Sequence, residues 1–222
     1  MTTSTALGIP GDPLNVGLVG RQEDVLCAMR AAGWLPADPV TWRSSAEIAG
    51  SVLLRRAYAT APVSDLFYDG RRQDLAFQKR SGVSPSTRHH VRFWLALSAG
   101  DDGAPVWLGA ATFDRSVGVS HFTGQITHHI DADVDAERDA LSADLAHAGV
   151  VRATYQIDGV GPTLFARNGG GDRYFTDGEL VVSKLSEDCE SRTQPPEVLA
   201  NPPAIETKNA LFRWAARLRR SF

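Results

Sequence analysis

Residues 124 to 139, GQITHHIDADVDAERD, carry two histidines, four aspartates, a glutamate and an arginine. Imidazole and carboxylate groups hold divalent metals and move protons near neutral pH, so this stretch is the first place to look for chemistry. Read as a strand end, it alternates: Ile126, His128 and Ile130 face one way, opposite Gln125, Thr127, His129 and Asp131. Adjacent histidines on a strand therefore do not both reach one centre. A second pair, His89 and His90, opens HHVRFWLAL (89–97). There Val91, Phe93, Leu95 and Leu97 face one way, with His90, Arg92 and Trp94 opposite. Asp114 ends PVWLGAATFD (105–114). Consecutive strands with short connections pair as neighbours about 5 Å apart. That pairing predicts that His90, His128 and Asp114 meet, with Asp131 joining them if the strand is bent. Two imidazoles and a carboxylate with an open position suit zinc or iron and activate water. His90, His128 and Asp114 are the candidate metal ligands, and His128, Asp131 and Arg138 the candidate catalytic residues. In the plainer reading, His128 is a satisfied core residue.

Arg138 shares a helical stripe with Val134, Leu141 and Leu145. A guanidinium facing a core must be paired, because its bare charge is too costly to bury. Asp131, Asp135 and Asp114 are the expected partners. Asp133 and Asp135 also suit the positive end of that helix. A further cluster lies in GRRQDLAFQKRSG (70–82). Asp74, Gln78 and Lys79 together with Arg92 form a candidate substrate-binding set for an anion or phosphate. The competing reading is an exposed basic edge strand that resists aggregation. GLVGRQ lacks the lysine and spacing of a P-loop, and no Gly-x-Ser-x-Gly elbow occurs.

The elements that must position these residues follow from periodicity. LNVGLVG reads as a short buried strand and RQEDVLCAMRAAG as a helix closed by Gly33. Ser44 and Glu47 have capping-box spacing, which predicts a helix from about Ser45 into the mid-fifties. Tyr58 to Gly70 reads as loop. DLAFQK (74–79), then 89–97, 105–114 and 124–131, read as strands. A helix over Val134 to His147 follows, then the strands VVRATYQID and ELVVSKL. Residues 186–204 are polar and Pro-rich, as a linker is. Beyond them Leu211, Trp214, Ala215 and Leu218 recur at helical spacing among Arg213, Arg217, Arg219 and Arg220. The expected fold is α+β: a mainly antiparallel β-sheet with helices packed on one face, plus a C-terminal amphipathic helix after the linker. The expected domain limits are a flexible N-terminus (1–11), a globular domain (12–185), the linker (186–204) and the basic helix (205–222).

A net charge of −3 gives no global reason to expect nucleic acid as a partner. Cys27 and Cys189 form no CxxC pair. The first residues lack the basic and apolar regions of a signal peptide, and no apolar run approaches a membrane span. These features predict a cytoplasmic, reducing location, with peripheral membrane contact through the basic helix.

DLAFQK, RHHVRFW, PVWLGAATFD and THHIDADVDAERDALSADLAHAG, in that order, resemble the LssY C-terminal-like domain family across roughly residues 12 to 185. The family's pattern often has an arginine where this chain has His129, which leaves His128 the stronger ligand candidate. The resemblance implies a membrane-proximal context, since the domain often follows membrane-embedded modules similar to DedA or PAP2-type phosphatases. It implies no reaction. SPSTRHH shares letters with PAP2 motifs but not their spacing. Two functions stand side by side. One is a metal-assisted hydrolase acting on a phosphorylated or lipid-linked substrate. The other is a non-catalytic binding or regulatory module for a membrane partner.

Overall fold

The computed structural model describes residues 1–37, 65–82, 87–119 and 126–220. In chain order its elements are β1 (Thr2–Ser4), β2 (Pro10–Pro13), β3 (Val16–Val19), α1 (Gln22–Ala31), β4 (Leu35–Pro36), β5 (Phe67–Tyr68), β6 (Arg71–Arg72), β7 (Leu75–Arg80) and β8 (Arg88–Leu97). Then come β9 (Val106–Val119), β10 (Ile126–Ile130), α2 (Val134–His147), β11 (Val151–Asp158), β12 (Thr163–Arg167), β13 (Arg173–Thr176), β14 (Glu179–Leu185), β15 (Glu197–Val198) and α3 (Pro203–Arg220).

The main sheet runs β15-β11-β14-β3-β9-β8-β7-β4, and β10 pairs with the far part of β9. Its pairs are antiparallel except β14 with β3 and β11 with β15. Alternation on the central strands builds two different faces. One face carries Val16, Leu18, Phe77, Val91, Phe93, Trp107 and Ala111, packed under Val25 and Met29 of α1 and Leu141 and Leu145 of α2. On the other face, Leu14, Leu66, Trp94, Leu108, Ala110 and Leu180 form a second apolar cluster. A small sheet of order β2-β1-β5-β6 contributes beside it. The fold is α+β, mainly antiparallel, with α1 and α2 on one face, as the sequence predicts.

Asn15 fastens α2 to the sheet. Its side-chain amide donates to the carbonyls of Ala111 (2.9 Å) and Val134 (3.0 Å), and its oxygen accepts from the Ala111 N–H (2.9 Å). Glycine at 109 is a packing requirement, since a Cβ there would lie 2.6 Å from the Phe93 ring and 2.7 Å from Val16.

Several expectations change. Residues 1–11, read as flexible, supply β1 and the start of β2. The linker over 186–204 contains a 3-10 turn, Glu187–Cys189, and the short strand β15 paired with β11. The hairpin β12–β13 flanking NGGGD is an element the periodicity did not reveal. The predicted helix from Ser45 to the mid-fifties lies outside the described residues. β9 runs five residues beyond Asp114, where the strand was expected to end, and this sets its register with β10. Ile130 stands opposite Asp114. The two cysteines, distant in sequence, form the disulfide Cys27–Cys189 between α1 and the 3-10 turn. That pairing removes cysteine usage as a reason to place the chain in a reducing compartment. Among the described residues no helix is long and apolar enough to cross a membrane.

Candidate functional site

The second face of β8 changes from apolar to ionic along its length. Trp94 belongs to the apolar cluster, and Arg92, His90 and Arg88 follow at two-residue intervals, all buried. Register sets their neighbours. His90 stands between Gln78 on β7 and Thr112 on β9, and Arg88 stands opposite Asp114. The Arg88 guanidinium donates from Nε to Asp114 Oδ2 (3.0 Å) and from an Nη to Gln78 Oε1 (3.1 Å). His90 Nε2 shares a 2.7 Å hydrogen bond with the Thr112 hydroxyl. His90 Nδ1 faces Asp114 Oδ1 at 3.2 Å, but off the hydrogen-bonding line, so neither buried atom gains a well-directed bond. One nitrogen of Arg92 lies 3.6 Å from Asp12 Oδ2 on β2. Asp12 in turn accepts from the Asn168 side chain at 3.1 Å.

The electrostatics follow from this packing. Burial opposes ionisation of Asp114, but His90 and Arg88 overcome it, helped by His128, and hold the carboxyl well below the usual carboxylate range. His128, on β10, is half-buried and within electrostatic reach of the row. Burial is the main cause that lowers its pKa, with Arg88, His90 and Arg92 adding to the lowering and Asp114 opposing it. Its imidazole is therefore neutral, and available as a base, near pH 7. Burial also works against the charge on Arg92, with Asp12 and Asp114 compensating only in part. Among the described residues, no group of three or more His, Cys, Asp or Glu is arranged to hold a metal ion.

The model of the LssY C-terminus family matches residues 1–180 of the chain. The chain belongs to that family. The matched span starts earlier than the resemblance in the sequence and takes in β1, β2 and so Asp12. No curated protein and no solved structure matches the chain.

This LssY C-terminal domain brings together His90, Asp114, Gln78 and Arg92 of the sequence candidates, with His128 at the margin. It separates the others. Asp131 lies beside β9, its N–H donating to the Phe113 carbonyl, but its carboxylate accepts from the Asp133 N–H at the entry to α2. Asp74 pairs with Arg71 and accepts from the Leu95 N–H, holding the β5–β6 hairpin to β8. Lys79 points to the helix-covered face and pairs with Asp144 at 2.8 Å. Arg138 is buried and paired, as its stripe predicts. It grips Asp177 through two nitrogens (2.6 and 3.1 Å) and also reaches Asp139 (2.8 Å) and Asp135 (3.4 Å). A bidentate pair of this kind is strong and directional. It locks α2 to the β13–β14 turn. Burial, with Asp177 adding repulsion, pushes the Asp135 carboxyl up to about 6 against the pull of Arg138.

The two histidines adjacent to His90 and His128, His89 and His129, follow the alternation. His89 faces α2 and pairs with Glu137 at 2.7 Å, and His129 pairs with Asp172 at 2.7 Å. Sequence reasoning missed Arg88, Thr112 and Asp12. The signal for Arg88 was present: it lies two residues before His90 in RHHVRFW, so the same alternation that places His90 also places Arg88.

Proposed function

We propose that this domain binds a phosphate-bearing small molecule, free or lipid-linked, beside the Arg88–His90–Arg92 row, and that His128 serves there as the base of a hydrolytic reaction. The observation that carries the reading is one strand face with two buried guanidinium groups, Arg88 and Arg92, in line with the buried His90. Planar guanidinium groups in a low-dielectric site recognise phosphate oxygens well. Arg88 is fixed by Asp114 and Gln78, and Arg92 continues the same cationic face toward β2. His128 takes a proton from water as its oxygen attacks phosphorus. The bond from phosphorus to the leaving oxygen breaks, and that oxygen leaves protonated by solvent.

A metal-assisted form of the reaction draws support from His90 Nδ1 and Asp114 Oδ1, which face one another without a well-directed bond. A zinc or iron ion held by these two groups alone would supply the Lewis acid. Elemental analysis of the purified protein separates the two forms. The non-catalytic reading draws on the closed Arg88–Asp114–Gln78 and His90–Thr112 bonds, which resemble a self-satisfied network.

Hydrolysis of p-nitrophenyl phosphate tests the catalytic claim. His128→Ala is expected to lower the rate by about a hundredfold or more, the usual contribution of a general base, while leaving the fold intact. The wild-type rate is expected to rise with pH through a midpoint below 6.5, because burial and neighbouring cations depress the imidazole. An unchanged rate in His128→Ala would remove the catalytic role. Binding without turnover would leave the binding-module reading.

A further inference from the structure

α3 (Pro203–Arg220) is attached the wrong way round for a helix that completes a core. Its inner side is largely polar. Asn209, 4% exposed, donates to Glu179 Oε2 at 3.1 Å, and Lys208 reaches Asp158 (2.7 Å) and Glu179 (3.1 Å). Ile205 is the buried aliphatic residue among these contacts. The outer side carries Leu211 and Trp214, 63% and 64% exposed. Trp214 therefore does not dock on its own domain. An apolar groove of about 770 Å³, lined by Pro162, Leu164, Pro203, Ala204 and Leu211, continues this surface.

Charge identifies the partner. Residues 206–222 contain five basic residues (Lys208, Arg213, Arg217, Arg219, Arg220) and one acidic residue (Glu206), a net of +4. The whole chain is −3, so the remainder is −7. The body of the domain repels an anionic surface while the helix is drawn to it, which fixes one orientation. We infer that α3 lies on an anionic lipid bilayer, with Leu211 and Trp214 entering the headgroup region, Arg213 pairing with a lipid phosphate and the basic sequence of the helix drawn to the anionic surface. Tryptophan favours that boundary, and a basic helix with an apolar outer stripe binds in its plane. A second copy meeting the same face about a two-fold axis would oppose two +4 segments, which disfavours self-association there.

The test is co-sedimentation of the full chain with vesicles of phosphatidylcholine alone and of phosphatidylcholine mixed with phosphatidylglycerol. Binding is expected on the anionic vesicles only and should weaken as salt is raised. Arg213→Glu is expected to weaken it by at least about fivefold, since each basic residue contributes roughly that factor near an anionic surface. Leu211→Ser with Trp214→Ser should abolish it. Both positions are exposed, so circular dichroism and melting should match wild type. Equal binding to both vesicle types, or equal binding by the double variant, would overturn the inference. So would a dimer in light scattering that the double variant dissociates. None of these outcomes depends on phosphate hydrolysis.

Discussion

Asp114→Ala is expected to destabilise the domain by about 3–5 kcal/mol, the usual cost of removing one partner from a buried ion pair. The carboxylate and the Arg88 guanidinium meet at 3.0 Å with side chains 1% and 6% exposed, so solvent cannot replace the lost partner. The variant leaves the Arg88 charge buried on the same strand face as the Arg92 charge. Such a loss is a large fraction of a typical folding free energy, so the variant should unfold at much lower urea. Replacing both partners, Arg88→Met with Asp114→Leu, should recover most of it, because an apolar pair carries no unpaired charge. If Asp114→Ala melts like wild type, the row is not an ion-paired network. The same pair makes stability depend on acid. The folded carboxyl titrates below its unfolded value of 3.8, so the contribution is fully present above pH 3.8. It is lost as pH falls through the lower folded value.

Reduction of Cys27–Cys189 is expected to have an effect of similar size. The bridge closes 162 residues of chain. The loop-closure relation gives about 5 kcal/mol for that length, and loss of a native disulfide commonly costs about 2–5 kcal/mol. For a chain of this size that lowers the melting temperature by roughly 5–20 °C. The bridge also secures the 3-10 turn on α1, where Arg21 pairs with Asp188 and the Asp188 N–H donates to Asp24. Protein unfolded without reductant should show no free thiol with Ellman's reagent, and two after reduction. Two free thiols before reduction would contradict the pairing. Cys27→Ser should melt at the temperature of reduced wild type.

How far the sequence carried these conclusions depended on the distance between partners. The alternation in HHVRFWLAL placed His90 and Arg92 on one face without any structure. Starting that strand at His89 instead of Arg88 hid the guanidinium that pairs with Asp114. The strand PVWLGAATFD reads as ending at Asp114, yet β9 continues to Val119 and sets the register with β10 there. For Arg138, burial and pairing with a carboxylate were legible from the helical stripe, including Asp135 one turn away. Its main partner, Asp177, was not, because it arrives from a turn that no local periodicity links to α2. Asp12 and Cys189 were hidden for the same reason. Each meets its partner through tertiary contact across a long stretch of chain.

Calorimetric titration of the full chain with a phosphomonoester such as glycerol 3-phosphate tests the phosphate-site claim most directly. Wild type should bind one equivalent per chain. Arg92→Gln should bind about tenfold more weakly or worse, since a charge-assisted hydrogen bond to an anion contributes about 1.5–3 kcal/mol. Arg213→Gln, on α3, should bind as wild type does. No binding by folded wild-type protein, or equal affinity in Arg92→Gln, would contradict the assignment of this row as a phosphate site.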